Sequence, residues 1–165
     1  MTTTFFLVRH GSHERLGRIL VGRVPGVRIS AEGEAQARRL GERLAREPIR
    51  AIYSSPTLRA HQTAEIIAAR LGVDLGIEPD LDEVDFGRWT NLSFDMLSKD
   101  PLWDVWNHRR SVAGAPGGET MAAVQSRLVA CLEALRRRHP GEALVIVGHC
   151  DPIRAALLHY LGLSL

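Results

Sequence analysis

Arg9-His10-Gly11 follows the apolar run Phe5-Phe6-Leu7-Val8, which sets a nucleophile-capable imidazole beside a fixed cation at the end of a strand. That pairing suits an anion such as phosphate. The same arrangement of a short apolar run leading into polar chemistry occurs twice more. Ala51-Ile52-Tyr53 enters Ser54-Ser55-Pro56 and then Arg59, and Leu144-Val145-Ile146-Val147 enters Gly148-His149. Ligands of open α/β sheets bind outside the carboxyl ends of the strands, so residues 10, 59 and 149 can converge on one crevice.

Transfer of a phosphoryl group to an imidazole nitrogen needs cations for the nonbridging oxygens, a neutral nucleophile in the correct tautomer, and an acid for the leaving oxygen. Arg9 and Arg59 offer planar forks suited to bidentate phosphate contact. His10 fits the nucleophile if its second ring nitrogen donates to a backbone carbonyl. His149 fits a second, charged imidazole hydrogen-bonded to the phosphoryl group. The acid stays open among Asp80, Asp82, Glu83 and Asp85, where neighbouring carboxylates and burial under aromatics would raise one pKa toward the working pH.

Two other chemistries fit poorly. His10-x-x-His13-Glu14 does not match the His-Glu-x-x-His helical zinc pattern, so no metal is expected. Cys150 and Arg154 have three residues between them where a cysteine-phosphatase cradle has five, so Cys150 reads as a small, at least partly buried residue.

The chain has 165 residues, 45% hydrophobic and 24% charged, which fits one ordinary globular domain over 1–165. Its 21 basic and 19 acidic residues are interspersed, giving a net charge of +2 and no basic tract for nucleic acid or a membrane surface. The apolar stretch before Arg9 is far shorter than a signal-peptide core, and no run approaches the ~20 apolar residues of a membrane span. Cys131 and Cys150 read as reduced thiols, and the expected location is the cytoplasm.

Periodicity supplies the elements that would position these groups. Ser30 caps a predicted helix to about Arg46, with Ala37, Leu40 and Leu44 on its inner face. Ser55-Pro56 reads as a cap and first-turn proline, opening a helix through Ala60, Ala64, Ile67, Ala68 and Leu71 that ends at Gly72. A third helix spans about 119–138, and Asp151-Pro152 starts a last one with Ile153, Leu157 and Leu161 facing inward. Short apolar strands alternating with such helices favour a sheet covered by helices. Segment 81–118 is aromatic and irregular, and reads as an insertion over the crevice with Trp89, Trp103 and Trp106 as its packing.

Taken in order, Arg9-His10-Gly11, Gly33-x-x-Gln36-Ala37, Ser54-Ser55-Pro56 through Arg59 to Gln62-Thr63-Ala64, Glu83-x-x-Phe86-Gly87-x-Trp89, Gly117-Gly118-Glu119 and Gly148-His149 resemble the histidine phosphatase superfamily, the phosphoglycerate mutase-like proteins. The resemblance covers about residues 5–155. It implies a three-layer α/β/α fold with a mostly parallel sheet, a phosphohistidine on His10, a phosphate pocket of Arg9, Arg59 and His149, Glu83 as proton donor, and no cofactor. The chain departs from the family pattern where Ser12, His13 and Leu16 stand in place of Glu, Ser or Thr, and a phosphate-contacting Asn. His13 or Arg15 is the expected replacement for that contact, with Ser12, Gly22 and Cys150 as further candidate substrate contacts. A second departure is Trp89-Thr90-Asn91, where the family often has Trp-x-Gly.

The reaction expected on this resemblance is metal-independent hydrolysis of a small phosphorylated metabolite. The alternatives are a phosphoglycerate mutase, which length disfavours because mutases of the superfamily tend to be longer, and a catalytically silent phospholigand-binding domain. The substrate and any homo-oligomeric state are left open.

Overall fold

The computed structural model describes residues 2–165. Four parallel strands, β1 (Thr4–Arg9), β2 (Ile49–Ser54), β3 (Asp74–Ile77) and β4 (Ala143–Gly148), form one sheet in the order β1-β4-β2-β3. Strand β4 is buried along its whole length, as its unbroken Leu-Val-Ile-Val run requires of a strand covered on both faces. Val145 and Val147 join Val8, Ile52 and Ile67 under helices α1 (Ala31–Leu44) and α2 (Leu58–Leu71). Leu144 and Ile146 point the other way, joining Leu128, Leu132, Leu135 and Ala156 under α5 (Met121–Arg138) and α6 (Cys150–Tyr160). The three-layer α/β/α arrangement follows from this alternation on one strand.

Segment 81–118 has its own apolar cluster. Two short 3-10 turns (Pro79–Leu81 and Gly87–Trp89) and helices α3 (Phe94–Leu97) and α4 (Pro101–His108) bury Phe86, Trp89, Leu97 and Trp106 against Met121, Val124 and Ala155. Trp89 lies edge-on to Trp103 and Trp106, and its Nε1 donates to Asp100 Oδ2 at 2.8 Å. Among the described residues, no helix is long and apolar enough to cross a membrane.

Several boundaries differ from the sequence reading. Strand β3 had no apolar run to announce it, because this edge strand, Asp-Leu-Gly-Ile, pairs only with β2. Helix α2 begins at Leu58 with Thr57 in the cap position, and the Ser55 hydroxyl donates to Asp82 while accepting from Thr57 N–H. Likewise α6 begins at Cys150, and Asp151 pairs with Arg110 at 2.7 Å. The inner face of α6 is Pro152, Ala155 and Ala156, whereas Leu157 and Leu161 are exposed.

Strand register brings the chemistry level. Arg9 pairs with Gly148 and Ser54 with Val147, and the ladder runs one residue further through His10 N–H to Gly148 O at 3.0 Å and Ser55 N–H to Val147 O at 2.9 Å. Behind this rim the backbone of α1 touches the turn after β1. A Cβ on Gly33 would lie 2.2 Å from the Ser12 carbonyl oxygen, and one on Gly11 would lie 2.6 Å from that of Gly33. Gly33→Ala should therefore destabilise the fold by about 1–3 kcal/mol, measured by urea unfolding, because both sides of the contact are backbone.

Candidate active site

His10 sits one residue past β1 and is buried. Its Nδ1 lies 2.9 Å from the Gly11 carbonyl, an acceptor only, so this nitrogen carries the proton. Nε2 therefore keeps its lone pair and accepts from Arg59 Nε at 3.3 Å. Burial, with the Arg59 and Arg9 charges adding and the Gly11 carbonyl opposing, lowers its pKa to about 3. The turn is held by two side chains. Gly11 N–H donates to Thr63 Oγ1 at 3.0 Å, and Ser12 N–H donates to Gln36 Oε1 at 3.0 Å.

Arg59, in the first turn of α2, is 1% exposed and links most of the site. Its Nη2 donates to the Gly22 carbonyl at 2.8 Å and meets His149 Nδ1 at 3.2 Å, while Nη1 is buried with no partner among the described residues. Gly22 has φ 54°, and that left-handed backbone sits at this carbonyl. His149 is fully buried at the end of β4, its ring centroid 5.2 Å from that of His10. Arg9 completes the cationic side, exposed at the rim without an ion-pair partner among the described residues.

Glu83 is the one carboxylate of the 80–85 segment that lines the cavity these groups share. Its Oε2 lies 3.5 Å from His149 Nδ1 and 3.8 Å from Arg59 Nη2, while Oε1 accepts from Val84 N–H at 2.9 Å. Burial, with Asp151 and Asp82 adding and the Val84 amide and Arg59 opposing, pushes its carboxyl up to about 7. The Glu83 carbonyl is clamped by Arg23 Nε at 2.7 Å and Arg127 Nη2 at 3.0 Å. Both arginines pair with Glu119, which also accepts from Asp85 N–H at 2.9 Å.

These groups open onto a cavity of about 140 Å³. Its polar side holds Arg9, His10, His13, Arg59, Glu83 and Asp151, and its outer wall is Leu16, Ile19, Leu20, Val21, Phe86 and Phe94. Among the described residues, no three His, Cys, Asp or Glu side chains are placed to hold a metal ion.

Residues 5–165 match the family model of the histidine phosphatase superfamily, branch 1. The chain belongs to that superfamily. Phosphoserine phosphatase 1 of Hydrogenobacter thermophilus is 33% identical over 164 residues, covering 96% of this chain and 76% of that protein. A probable phosphoglycerate mutase of Salmonella choleraesuis is 31% identical over 163 residues, covering 96% of this chain and 74% of that protein. The solved structure of YhfR from Bacillus stearothermophilus superposes with a TM-score of 0.93 at 28% identity, over 99% of this chain and 82% of that one.

Within this histidine phosphatase, the candidates from sequence divide clearly. Arg9, His10, His13, Gly22, Arg59, Glu83 and Cys150 line the cavity, and His149 abuts it. Ser12 does not line it, because its carbonyl accepts from Ser30 N–H and its hydroxyl from Gln36 Nε2, facing α1. Arg15 is on the outer surface, bonded to Asn91 Oδ1 at 3.2 Å. Of the two candidates for the Asn contact, only His13 lines the cavity, buried with Nδ1 unpartnered among the described residues and its ring centroid 5.4 Å from that of His10. His149, expected charged, is driven well toward the neutral form by burial and by the Arg59 charge. Asp151 was read as a helix cap and lines the cavity instead. No tryptophan lines it; Phe86 and Phe94 do.

Glu83 titrates at 4.5 when unfolded and about 7 when folded, so its contribution to stability is full below 4.5 and lost as pH rises through about 7. Relative to Glu83→Gln, the wild-type protein should lose stability on crossing that window upward. Urea unfolding of both proteins on either side of the window checks the sign, and a constant difference would show that the carboxyl is not perturbed.

Proposed function

We propose that the protein is a metal-independent phosphatase that hydrolyses a small phosphomonoester through a phosphohistidine on His10. The observation that carries this reading is the tautomer of His10, whose Nδ1 proton is committed to the Gly11 carbonyl while Nε2 faces the buried Arg59 fork. In the first step the Nε2 lone pair attacks phosphorus, the ester P–O bond breaks, and Glu83 gives its proton to the leaving oxygen. Arg9, Arg59 and His149, with His13 in support, hold the nonbridging oxygens. In the second step the Glu83 carboxylate takes a proton from water, the water oxygen attacks phosphorus, and the P–N bond breaks to release inorganic phosphate. A carboxyl poised at about 7 serves as acid and then as base near neutrality.

The similarity to a probable phosphoglycerate mutase favours a second reading, return of the phosphoryl group to another hydroxyl. Hydrolysis is preferred because the outer cavity wall is apolar and, among the described residues, no Arg or Lys besides Arg9 and Arg59 lines the cavity to hold a glycerate carboxylate.

A screen of aryl phosphate, sugar phosphates, phosphoglycerates, nucleotides and phosphoamino acids should release inorganic phosphate from at least one ester without isomerised product. Isomerisation would establish the mutase, and no reaction at any pH would leave a binding domain. His10→Ala should abolish turnover while leaving thermal unfolding nearly unchanged, and Arg59→Lys should lower kcat/KM by about 10²-fold. Added chelator should change nothing. The phosphoenzyme should be lost on acid quench, because a P–N bond to imidazole is acid-labile, and a phosphoenzyme surviving acid would exclude His10 as its carrier. On the alkaline side, kcat/KM should fall as Glu83 loses its proton above about 7, and this limb should vanish in Glu83→Gln.

A further inference from the structure

Asp82 does not line the cavity, yet its carboxylate contacts both halves of the proton machinery. Oδ1 accepts from Ser55 Oγ–H at 3.0 Å and from Glu83 N–H at 2.8 Å. Ser55 Oγ in turn lies 2.9 Å from His149 Nε2 and accepts from Thr57 N–H at 3.2 Å. With its only proton directed to Asp82, the Ser55 oxygen presents lone pairs to His149. Nε2 must then carry the proton that fills that contact.

The other side of the ring requires the same assignment. His149 Nδ1 faces Arg59 Nη2 at 3.2 Å, and a guanidinium nitrogen only donates, so Nδ1 must be the acceptor. Thr57 Oγ1, 3.1 Å from Nε2, could donate to an unprotonated Nε2, but that arrangement would set two donors against each other at Nδ1.

We propose that Asp82, acting through Ser55, is a positioning residue that fixes His149 as the Nε2–H tautomer and leaves the Nδ1 lone pair toward Arg59 and Glu83. The consequence for turnover rests on the phosphatase reading. Nδ1, 3.5 Å from Glu83 Oε2, is the open protonation site of the ring. When a phosphate dianion enters, this nitrogen takes up a proton from solvent and donates it in a hydrogen bond to a phosphoryl oxygen, while Nε2–H stays on Ser55. The Asp82 carboxylate, 3.9 Å from Nε2, stabilises the resulting imidazolium.

The tautomer can be read without turnover, from the imidazole 15N shifts of His149 in the full chain. Neutral His149 should carry its proton on Nε2 in the wild-type protein. Asp82→Ala and Ser55→Ala should each move a measurable fraction of it to Nδ1, and kcat should fall about 10- to 100-fold with KM little changed. Ser55→Ala leaves the Asp82 bond to Glu83 N–H in place, so it carries the test should Asp82→Ala fail to fold. Asp82→Asn keeps an acceptor oxygen for the Ser55 hydroxyl and should retain the Nε2–H tautomer, while kcat falls because the charge facing the imidazolium is gone. A wild-type His149 protonated on Nδ1 when neutral, or an unchanged tautomer in both alanine variants, would overturn the proposal. Failure of the wild-type protein to hydrolyse any ester would instead remove the phosphatase reading and leave the tautomer assignment standing.

Discussion

The site is organised around one buried guanidinium. A full positive charge at 1% exposure is costly unless its surroundings answer it, and among the described residues no carboxylate hydrogen-bonds Arg59, Glu83 standing 3.8 Å away. The compensation is spread over the Gly22 carbonyl, the two imidazole lone pairs and the Glu83 charge. Each of these groups is thereby held in the form the chemistry needs: both histidines face the cation with unprotonated nitrogens, and Glu83 is drawn to the same point. The unpartnered Nη1 is a donor with no acceptor among the described residues, which a tetrahedral anion would supply.

That arrangement needs a rigid base, and the motifs outside the reactive residues provide it. Gln36 and Thr63 hold successive amides of the turn after His10. Glu119, with Arg23 and Arg127, fixes the backbone on both sides of Val84 and so aims Glu83. Hydrogen-bonded backbone is an economical way to locate a short side chain, because fewer torsions separate the anchor from the reactive atom.

The convergence of residues 10, 59 and 149 was legible in the sequence because each followed a short apolar run, and a parallel sheet brings such ends together. The helical inner faces of α1, α2 and α5 were legible for a similar reason: apolar residues recur at helical spacing. Helix α6 was misread because its core face is built from Pro152, Ala155 and Ala156, so close approach to α5 leaves the weakest hydrophobic signal on the buried side. Ser55 and Asp151 were read as caps because Ser and Asp before a helix usually serve so, and Asp82 was read only as a candidate acid; tertiary contacts alone show the partners these residues bond. Choosing Glu83 from among four carboxylates needed the family resemblance, since burial and direction are not written in local spacing.

The reactive groups and the cavity mouth are anchored to different apolar clusters. His10, Arg59 and His149 are fixed by the sheet and its flanking helices, whereas Phe86 and Phe94 belong to the aromatic cluster of segment 81–118. Replacing residues in that aromatic cluster can reshape what the mouth admits while the anion seat keeps its dimensions. A protein divided in this way can change its diet by mutation without having to relearn its chemistry.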